Sequence, residues 1–181
     1  MNDLVKMGKY LSLILRHKPE LINLKIDEHG WVEVDQLLKG INDSGRYISK
    51  EMLDIIVNTN NKKRYQYNDD QTKIRANQGH SIKVDVELQE KVPPDILYHG
   101  TAQKYLDKIK KSGIRKMNRL YVHLSKDIQT AINVGKRHGQ PIVLVIDTKK
   151  MLRDGYKFYY SYNGVWLCDD IAYSYIEEVI V

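Results

Sequence analysis

Arginine and histidine residues recur in four short motifs along the chain, and each motif ends a predicted helix or strand. Six of these residues could do chemistry, and all six are cationic or can become so: Arg16, His17, Arg75, His99, Arg119 and His123. No carboxylate belongs to this set. Guanidinium and imidazole groups together suit an anion, and phosphate fits best because a guanidinium can bind two of its oxygens at once. The residue types therefore predict a phosphate-binding site.

The two motifs in the first half of the chain also have plainer interpretations when each is taken alone. Arg16 and His17 at a helix C-terminus would stabilise the helix by about 0.3–1 kcal/mol through its dipole. Residues 74–81, which include Arg75 and Gly79, also fit an ordinary hairpin exit. It is the recurrence of such motifs at the ends of separate elements that favours a site.

The two motifs in the second half are more specific in their placement. His99, Gly100 and Thr101 follow a short apolar run, and we expect a strand-to-helix turn there, since helix N-termini bind anions. Residues 119–125 alternate as a strand, which would place Arg119, His123 and Ser125 on one polar face. A polar face is also common on surface strands, so this motif alone is weak evidence.

Several classes of site are excluded by the sequence. It contains no Walker-type phosphate loop, no Gly-x-Gly-x-x-Gly fingerprint and no His-x-x-x-His pair. Its single cysteine, Cys168, excludes an intramolecular disulfide and a cysteine-based metal cluster. No metal site is expected, and we interpret Cys168 as a small buried residue because no basic residue adjoins it.

Composition is that of a folded protein. The chain has 181 residues, of which 42% are hydrophobic, and 29 Lys and Arg against 23 Asp and Glu give a formal charge of +6. This excess permits a polyanionic partner without naming one. No apolar run approaches the roughly 18 residues of a membrane span, and no signal peptide is recognisable, so we expect a cytoplasmic protein.

Hydrophobic spacing predicts an N-terminal lobe over residues 1–88. We expect a helix over 4–17, a short strand at 31–34, a helix capped by Asp35, and a third helix that begins at Ser49 with Met52, Ile55 and Ile56 on its apolar face. Residues 64–67 and 73–76 flank a turn-forming run and predict a hairpin. Helices followed by a hairpin indicate a winged-helix-like lobe.

A polar linker is expected at about residues 86–95, ahead of a second lobe over 95–181. That lobe should contain a strand ending at His99, a helix capped by Thr101 that closes at Gly113, a strand at 120–124, and a helix over 128–134 behind a cap at Ser125. Residues 142–146 predict a strand buried on both faces, and more strands should follow residue 158. The expected fold class is α+β with short mixed strands.

These motifs together resemble the NAD-dependent RNA 2′-phosphotransferases. The matching segments run in order over most of the chain: Leu15-Arg16-His17 with Pro19 and Glu20, Gly30-Trp31-Val32, residues 74–81 (Ile-Arg-Ala-Asn-Gln-Gly-His-Ser), Leu97-Tyr98-His99-Gly100-Thr101, Val122-His123-Leu124-Ser125, and Asn163-Gly164-Val165-Trp166-Leu167. The resemblance implies a winged-helix RNA-binding lobe and a second lobe of ADP-ribosyltransferase type. It departs from the family pattern at Cys168-Asp169-Asp170, where a Thr and a prolyl segment are frequent.

The resemblance also implies an activity. The RNA 2′-phosphate would attack the nicotinamide-bearing ribose of NAD, and the ribose 2″-hydroxyl would then attack the phosphorus, giving 2′-OH RNA, nicotinamide and ADP-ribose 1″,2″-cyclic phosphate. By the same resemblance Arg16, His17, Arg75 and Arg119 would be catalytic. A second set would bind NAD: His99, Gly100, Thr101, His123 and Ser125.

Two alternatives stay open from the sequence. The chain could leave ADP-ribose on a terminal phosphate of RNA or DNA, or it could bind nucleic acid without catalysis. The expected partners are RNA with a 2′-phosphate, tRNA being one candidate, and NAD; a monomer is the default. Because the basic candidates fall in both lobes, we expect the phosphate between them. Residues such as Lys62, Lys63 and Arg64 would either steer RNA or simply make the surface soluble.

Overall fold

Helix α1 (Asn2–Arg16) forms the centre of the N-terminal part of the structure. Its apolar residues recur at helical spacing, so that Leu11, Ile14 and Leu15 share one face and are fully buried. The helix ends before Pro19, which begins a short 3₁₀ helix (Pro19–Ile22). The predicted helix over 4–17 is confirmed, with its start two residues earlier.

The computed structural model describes residues 2–180, and the chain divides between Glu87 and Leu88 into two compact units. Each unit has its own apolar core. No helix within the described range is both long and apolar enough to cross a membrane.

The first unit continues from α1 with two further helices and one small sheet. Its remaining elements are β1 (Val32–Glu33), α2 (Val34–Asp43), α3 (Lys50–Asn58), β2 (Tyr65–Tyr67) and β3 (Lys73–Ala76). The strands pair antiparallel in the order β1-β3-β2, with Gln66 opposite Arg75 in the hairpin. Helices followed by a hairpin are therefore confirmed.

Two local expectations for the first unit need correction. Asp35 lies inside the first turn of α2, and the residue that precedes the helix is Glu33, so Asp35 is no cap. On α3 the Ser49 cap is confirmed, because its hydroxyl accepts from the Met52 N–H at 3.2 Å. Of the predicted apolar face, Ile56 is buried and Met52 packs against the core, whereas Ile55 is 45% exposed. Leu53 is buried in addition, because residues 52, 53 and 56 share one face of a helix that turns by 100° per residue.

Up to residue 180, the second unit holds two sheets and three α-helices. Its elements are β4 (Gln89–Glu90), β5 (Ile96–Ala102), α4 (Leu106–Ser112), β6 (Val122–Leu124), α5 (Ile128–Gly135), β7 (Pro141–Asp147), α6 (Thr148–Arg153), β8 (Phe158–Tyr160), β9 (Trp166–Cys168) and β10 (Ile176–Ile180). One sheet has the order β10-β7-β5 and the other β4-β8-β9-β6. The fold is α+β, and the described strand pairs are antiparallel rather than mixed.

The predicted linker is tied to the second unit. Gln89 and Glu90 pair with Tyr160 and Tyr159 of β8, and the Pro94 carbonyl accepts from the Thr148 hydroxyl. Residues 86–95 thus contain a short strand, because their backbone finds partners at the edge of the second sheet.

Candidate functional site

The C-terminus of α1 carries Arg16 and His17, and a loop from β3 packs against it. The Arg16 carbonyl accepts from the Ser81 N–H at 2.9 Å, which satisfies one of the open carbonyls at the end of the helix. The Ser81 hydroxyl lies 2.9 Å from Nδ1 of His17. Two motifs that are 64 residues apart in the chain therefore meet at one helix end.

His80 is buried directly beside this helix end. Only 1% of its surface is exposed, and its Nε2 has no hydrogen-bond partner among the described residues. Burial lowers the pKa of His80 to about 4, and the positive charges of Arg16, His17 and Arg75 act in the same direction. His80 is thus a neutral spacer under the Ser81 loop. The candidate set from the sequence left it out, although it lies within the motif at 74–81.

Arg75 is engaged within the first unit. Its guanidinium stacks over Trp31 at 4.3 Å from the ring centroid and donates to Glu87 Oε2 at 2.9 Å and to the His29 carbonyl at 3.2 Å. With its amide oxygen turned toward Arg75, Gln66 accepts from Nε and Nη2 at 2.7 and 2.9 Å. Arg75 would therefore have to leave some of these acceptors to bind a phosphate.

Arg64 is a second guanidinium near Arg16, and sequence reasoning assigned it only to RNA steering. Burial raises the pKa of Tyr65, while a hydrogen bond from Ser12 and the positive charges of Arg16 and Arg64 oppose the rise. Arg64 precedes Tyr65 in the chain, and the Tyr65 hydroxyl meets that of Ser12, which lies four residues before Arg16 on α1. The signal that could have found Arg64 is its position at the end of a basic run, immediately before β2.

In the second unit the predicted strand-to-helix turn is absent from the described residues. His99, Gly100 and Thr101 all lie within β5, which continues to Ala102, so Thr101 caps no helix. The reason is pairing: β5 matches β7 over its whole length, from Ile96 opposite Asp147 to Ala102 opposite Pro141. The following helix starts only after a 3₁₀ turn (Gln103–Tyr105).

Close packing explains the glycine in β5. A Cβ built on Gly100 would lie 1.8 Å from the Ala131 carbonyl oxygen, so helix α5 touches the strand backbone there. Gly135 makes a second close approach, with a built Cβ 2.5 Å from the Thr101 carbonyl oxygen. The two glycines bring α5 flat against β5 beside His99 and Thr101.

His99 is a neutral hydrogen-bond acceptor in a basic surrounding. Its Nδ1 lies 3.0 Å from the His123 carbonyl, and because a carbonyl only accepts, the proton is on Nδ1 and the Nε2 lone pair is left to accept. Burial lowers the pKa of His99. The hydrogen bond to the His123 carbonyl raises this pKa, and the positive charges of Arg119 and His138 lower it further. Such an imidazole suits a ribose hydroxyl.

The remaining predicted NAD-binding residues lie next to His99. The Ser125 N–H donates to the Tyr98 carbonyl at 2.7 Å, and the Tyr98 N–H donates to the Ser125 carbonyl at 2.9 Å. Ser125 precedes α5 but does not cap it, because Asp127 accepts from the Thr130 N–H at the start of the helix. His123 lies in β6, where its Nδ1 donates to the Tyr121 carbonyl at 3.1 Å. The structure therefore brings His99, His123 and Ser125 together where β5 meets β6, and Thr101 lies two residues beyond His99 in β5.

Arg119 is exposed just before β6, and the positive charge of Arg137 acts on it. Burial of part of its side chain lowers the pKa of Arg119, and so does the positive charge of Arg137. Arg137 and His138 follow α5 and were missing from the sequence-based candidates, although the run Lys136-Arg137-His138 was a visible signal. The positive charges of Arg119 and His138 act on His99, and that of Arg137 acts on Arg119, so the surroundings of His99 are basic.

Comparison with known proteins identifies the class. The model of the RNA 2′-phosphotransferase, Tpt1 / KptA family matches residues 2–170. The chain belongs to this family, which confirms the resemblance seen in the sequence.

Relatives match over nearly the whole chain. A protein of Fusobacterium nucleatum named "Probable RNA 2′-phosphotransferase" is 58% identical over 178 residues, covering 98% of this chain and 99% of its own. Proteins with the same name from Flavobacterium johnsoniae and Nostoc punctiforme are 50% and 47% identical, covering 94% and 97% of each chain. The comparisons support an RNA 2′-phosphotransferase activity.

Proposed function

We propose that this protein transfers an internal 2′-phosphate from RNA to NAD and consumes the NAD as a substrate. The observation that carries the proposal is the hydrogen bond from His99 Nδ1 to the His123 carbonyl, which leaves Nε2 as an acceptor in surroundings made basic by Arg119 and His138. A dinucleotide needs positive charge for its anionic pyrophosphate and a hydrogen-bond acceptor for its ribose hydroxyls. His99, Gly100, Thr101, His123 and Ser125 are the proposed NAD-binding residues.

In the first step an oxygen of the RNA 2′-phosphate forms a bond to C1″ of the nicotinamide-bearing ribose. The bond from C1″ to the pyridinium nitrogen breaks, and nicotinamide leaves with the electron pair. A phosphate monoester has its second pKa near about 6 and is therefore largely dianionic at pH 7. It needs no general base, which agrees with a candidate set of arginines and histidines.

In the second step the ribose 2″-hydroxyl attacks the phosphorus, and the bond from phosphorus to the RNA 2′-oxygen breaks. Negative charge grows on the phosphoryl oxygens, where Arg16 and Arg119 would stabilise it. The attacking 2″-hydroxyl gives up a proton and the departing RNA oxygen takes one up, and we assign this transfer to His17, whose ring is held by Ser81.

The catalytic set predicted from the sequence contains a third guanidinium, that of Arg75. Because Arg75 already donates to Glu87 and the His29 carbonyl, Arg64 is a second candidate for the same task. Either arginine would stabilise the negative charge of the phosphoryl group. Substitution of each arginine by alanine shows which of the two does so.

We assign RNA binding to the first unit, as a lobe of winged-helix type, and NAD binding to the second, as a lobe of ADP-ribosyltransferase type. Support comes from the three helices and hairpin of the first unit and from the basic surroundings of His99 in the second. A cytoplasmic location, a monomeric state and the absence of a metal stay predictions, and tRNA stays a candidate substrate.

The test is incubation with NAD and an oligoribonucleotide that carries one internal 2′-phosphate. We expect nicotinamide, 2′-OH RNA and ADP-ribose 1″,2″-cyclic phosphate in equal amounts by mass spectrometry. A 5′-phosphorylated oligonucleotide without the 2′-phosphate is run in parallel. ADP-ribose retained on that terminal phosphate would establish the capping activity, and NAD left intact with both RNAs would reject catalysis in favour of a binding module.

A further inference from the structure

A pocket of about 390 Å³ opens between α1 and α3 in the first unit. One part of its lining is apolar, with Leu4, Val5 and Ile56, and the other part is polar, with Ser12 and Asn60. Binding sites for small ligands typically begin at about this size. Neither the candidate residues from the sequence nor the proposed chemistry uses the apolar part.

Gly8 lies in the middle of α1 and lines this pocket. A Cβ built on it would meet only Ile56 Cγ2, at 3.7 Å, which is an ordinary contact. Its backbone has helical geometry, so neither sterics nor conformation requires glycine here, and glycine weakens a helix interior relative to alanine. Alanine at this position would make the helix more stable. We infer that glycine keeps the pocket above residue 8 open.

The polar part of the pocket adjoins the phosphate-binding candidates. Tyr65 donates to the Gly8 carbonyl at 2.6 Å and meets the Ser12 hydroxyl at 2.5 Å, so β2 is tied to two residues of α1 that line the pocket. Ser12 and Arg16 lie four residues apart on α1 and therefore share one face. The pocket thus extends along α1 toward the end that carries Arg16.

Charge indicates what the pocket would hold. Lys9 and Arg64 line it, and none of its described lining residues is a carboxylate. Two cations beside an apolar surface match a nucleotide, which combines a flat apolar base with an anionic phosphate.

We propose that this pocket binds a nucleotide of the RNA substrate next to the one that carries the 2′-phosphate. The base lies on Val5, Gly8 and Ile56, and the backbone phosphate is bound by Lys9. This inference rests on the proposed function for the identity of the RNA, and it adds a site that recognises the neighbouring nucleotide rather than the reacting phosphate.

The test uses two substitutions at Gly8 in the full chain. Gly8→Ala should raise the melting temperature by about 2–4 °C and leave most of the pocket open. Gly8→Leu also favours a helix but fills the pocket, so it should raise the KM for a hexaribonucleotide with an internal 2′-phosphate by about tenfold, the order of one lost base contact. The KM for NAD and kcat at saturating RNA should not change.

A matched pair of lysine variants controls for general loss of charge. Lys9→Gln should weaken binding of the same hexaribonucleotide and reduce the slope of log affinity against log salt by about one contact. Lys39→Gln changes an exposed lysine on α2 outside the pocket and should leave both quantities unchanged. Equal effects of the two variants would overturn the proposal.

Binding can also be followed without catalysis. Adding the 2′-OH form of the hexaribonucleotide should shift amide resonances of α1 and α3 around Gly8 and Ile56, and Gly8→Leu should abolish those shifts. Shifts elsewhere, or an unchanged KM for Gly8→Leu, would reject the pocket while phosphotransferase activity stands. RNA shifts at Gly8 in a protein that leaves NAD intact would support the pocket and reject the proposed function alone.

Discussion

His17 and Ser81 are joined by a hydrogen bond of 2.9 Å between Nδ1 and Oγ, although they lie 64 residues apart in the chain. A hydroxyl can both donate and accept, so Ser81 can hold the ring whether Nδ1 carries a proton or not. The Ser81 backbone is independently anchored to the Arg16 carbonyl. Ser81 is therefore a positioning residue for His17 in the proposed second step.

Replacing Ser81 by alanine should lower kcat by about fivefold, the equivalent of a hydrogen bond worth roughly 1 kcal/mol. The KM for NAD should be unchanged, because Ser81 belongs to the first unit and the loss concerns the orientation of His17. Single-turnover kinetics with 2′-phosphorylated RNA measures the effect. Ser81→Thr keeps the hydroxyl and should restore the rate; an equally slow Thr variant would contradict the positioning role.

Arg119→Ala should allow 2′-phospho-ADP-ribosylated RNA to accumulate. Charge on the phosphoryl oxygens grows most in the second step, and loss of one charge-stabilising contact typically costs about 10²–10³ in rate. Gel mobility and mass spectrometry of the RNA detect the intermediate. Arg115→Ala, which removes an exposed arginine paired with Asp170, is the control. Blocked nicotinamide release without any intermediate would assign Arg119 to the first step instead.

Arg75→Ala and Arg64→Ala should differ in what they damage. Arg75→Ala removes the cation–π contact with Trp31 and the hydrogen bonds to Glu87 and the His29 carbonyl. We therefore expect the free energy of unfolding to fall by about 1–2 kcal/mol. Arg64→Ala should change stability by less than about 0.5 kcal/mol and lower turnover by about 10² or more.

Urea unfolding and steady-state nicotinamide release, measured on both variants, distinguish the two arginines. A hundredfold loss of turnover for Arg75→Ala at unchanged stability would return Arg75 to the catalytic set that the sequence predicted. Because Arg75 already donates to Glu87 and the His29 carbonyl, we expect the opposite order, with the larger loss of turnover in Arg64→Ala.

The first unit should lose stability in acid because of His80. The folded protein holds the pKa of His80 at about 4, below its ordinary value near 6.5, so as pH falls the unfolded chain takes up a proton before the folded chain does. Stability should be full above about pH 6.5 and fall by up to about 3 kcal/mol as the pH approaches 4.

His80→Phe should remove this part of the pH dependence. The ring is similar in size, and Nε2 of His80 makes no hydrogen bond within the described residues that the substitution would break. Urea unfolding between pH 7 and pH 4, followed by Trp31 fluorescence in a Trp166→Phe background, measures the slope. The same slope in His80→Phe and the parent protein would show that other groups cause the acid loss.

Local patterns were enough to predict most elements of this fold. The helix around Leu11 and Ile14, the Ser49 cap and the buried strand of 142–146 depend on spacing and side-chain chemistry that neighbouring residues determine. The prediction was wrong at His99 to Thr101, because pairing of β5 with the distant β7 outweighs a local turn signal. It also missed that Glu33, not Asp35, precedes α2.

The sequence by itself determined the chemistry: cationic residues in ordered motifs, no carboxylate among them, and membership of a phosphotransferase family. Tertiary structure alone decided which of those residues meet. It brought Ser81 to His17, bound Arg75 to Glu87, joined Tyr65 to Ser12 on α1, and placed His99 against the His123 carbonyl. Side-chain partners that are tens of residues apart are chosen by packing and pairing across the fold, and spacing along the chain carries no record of that choice.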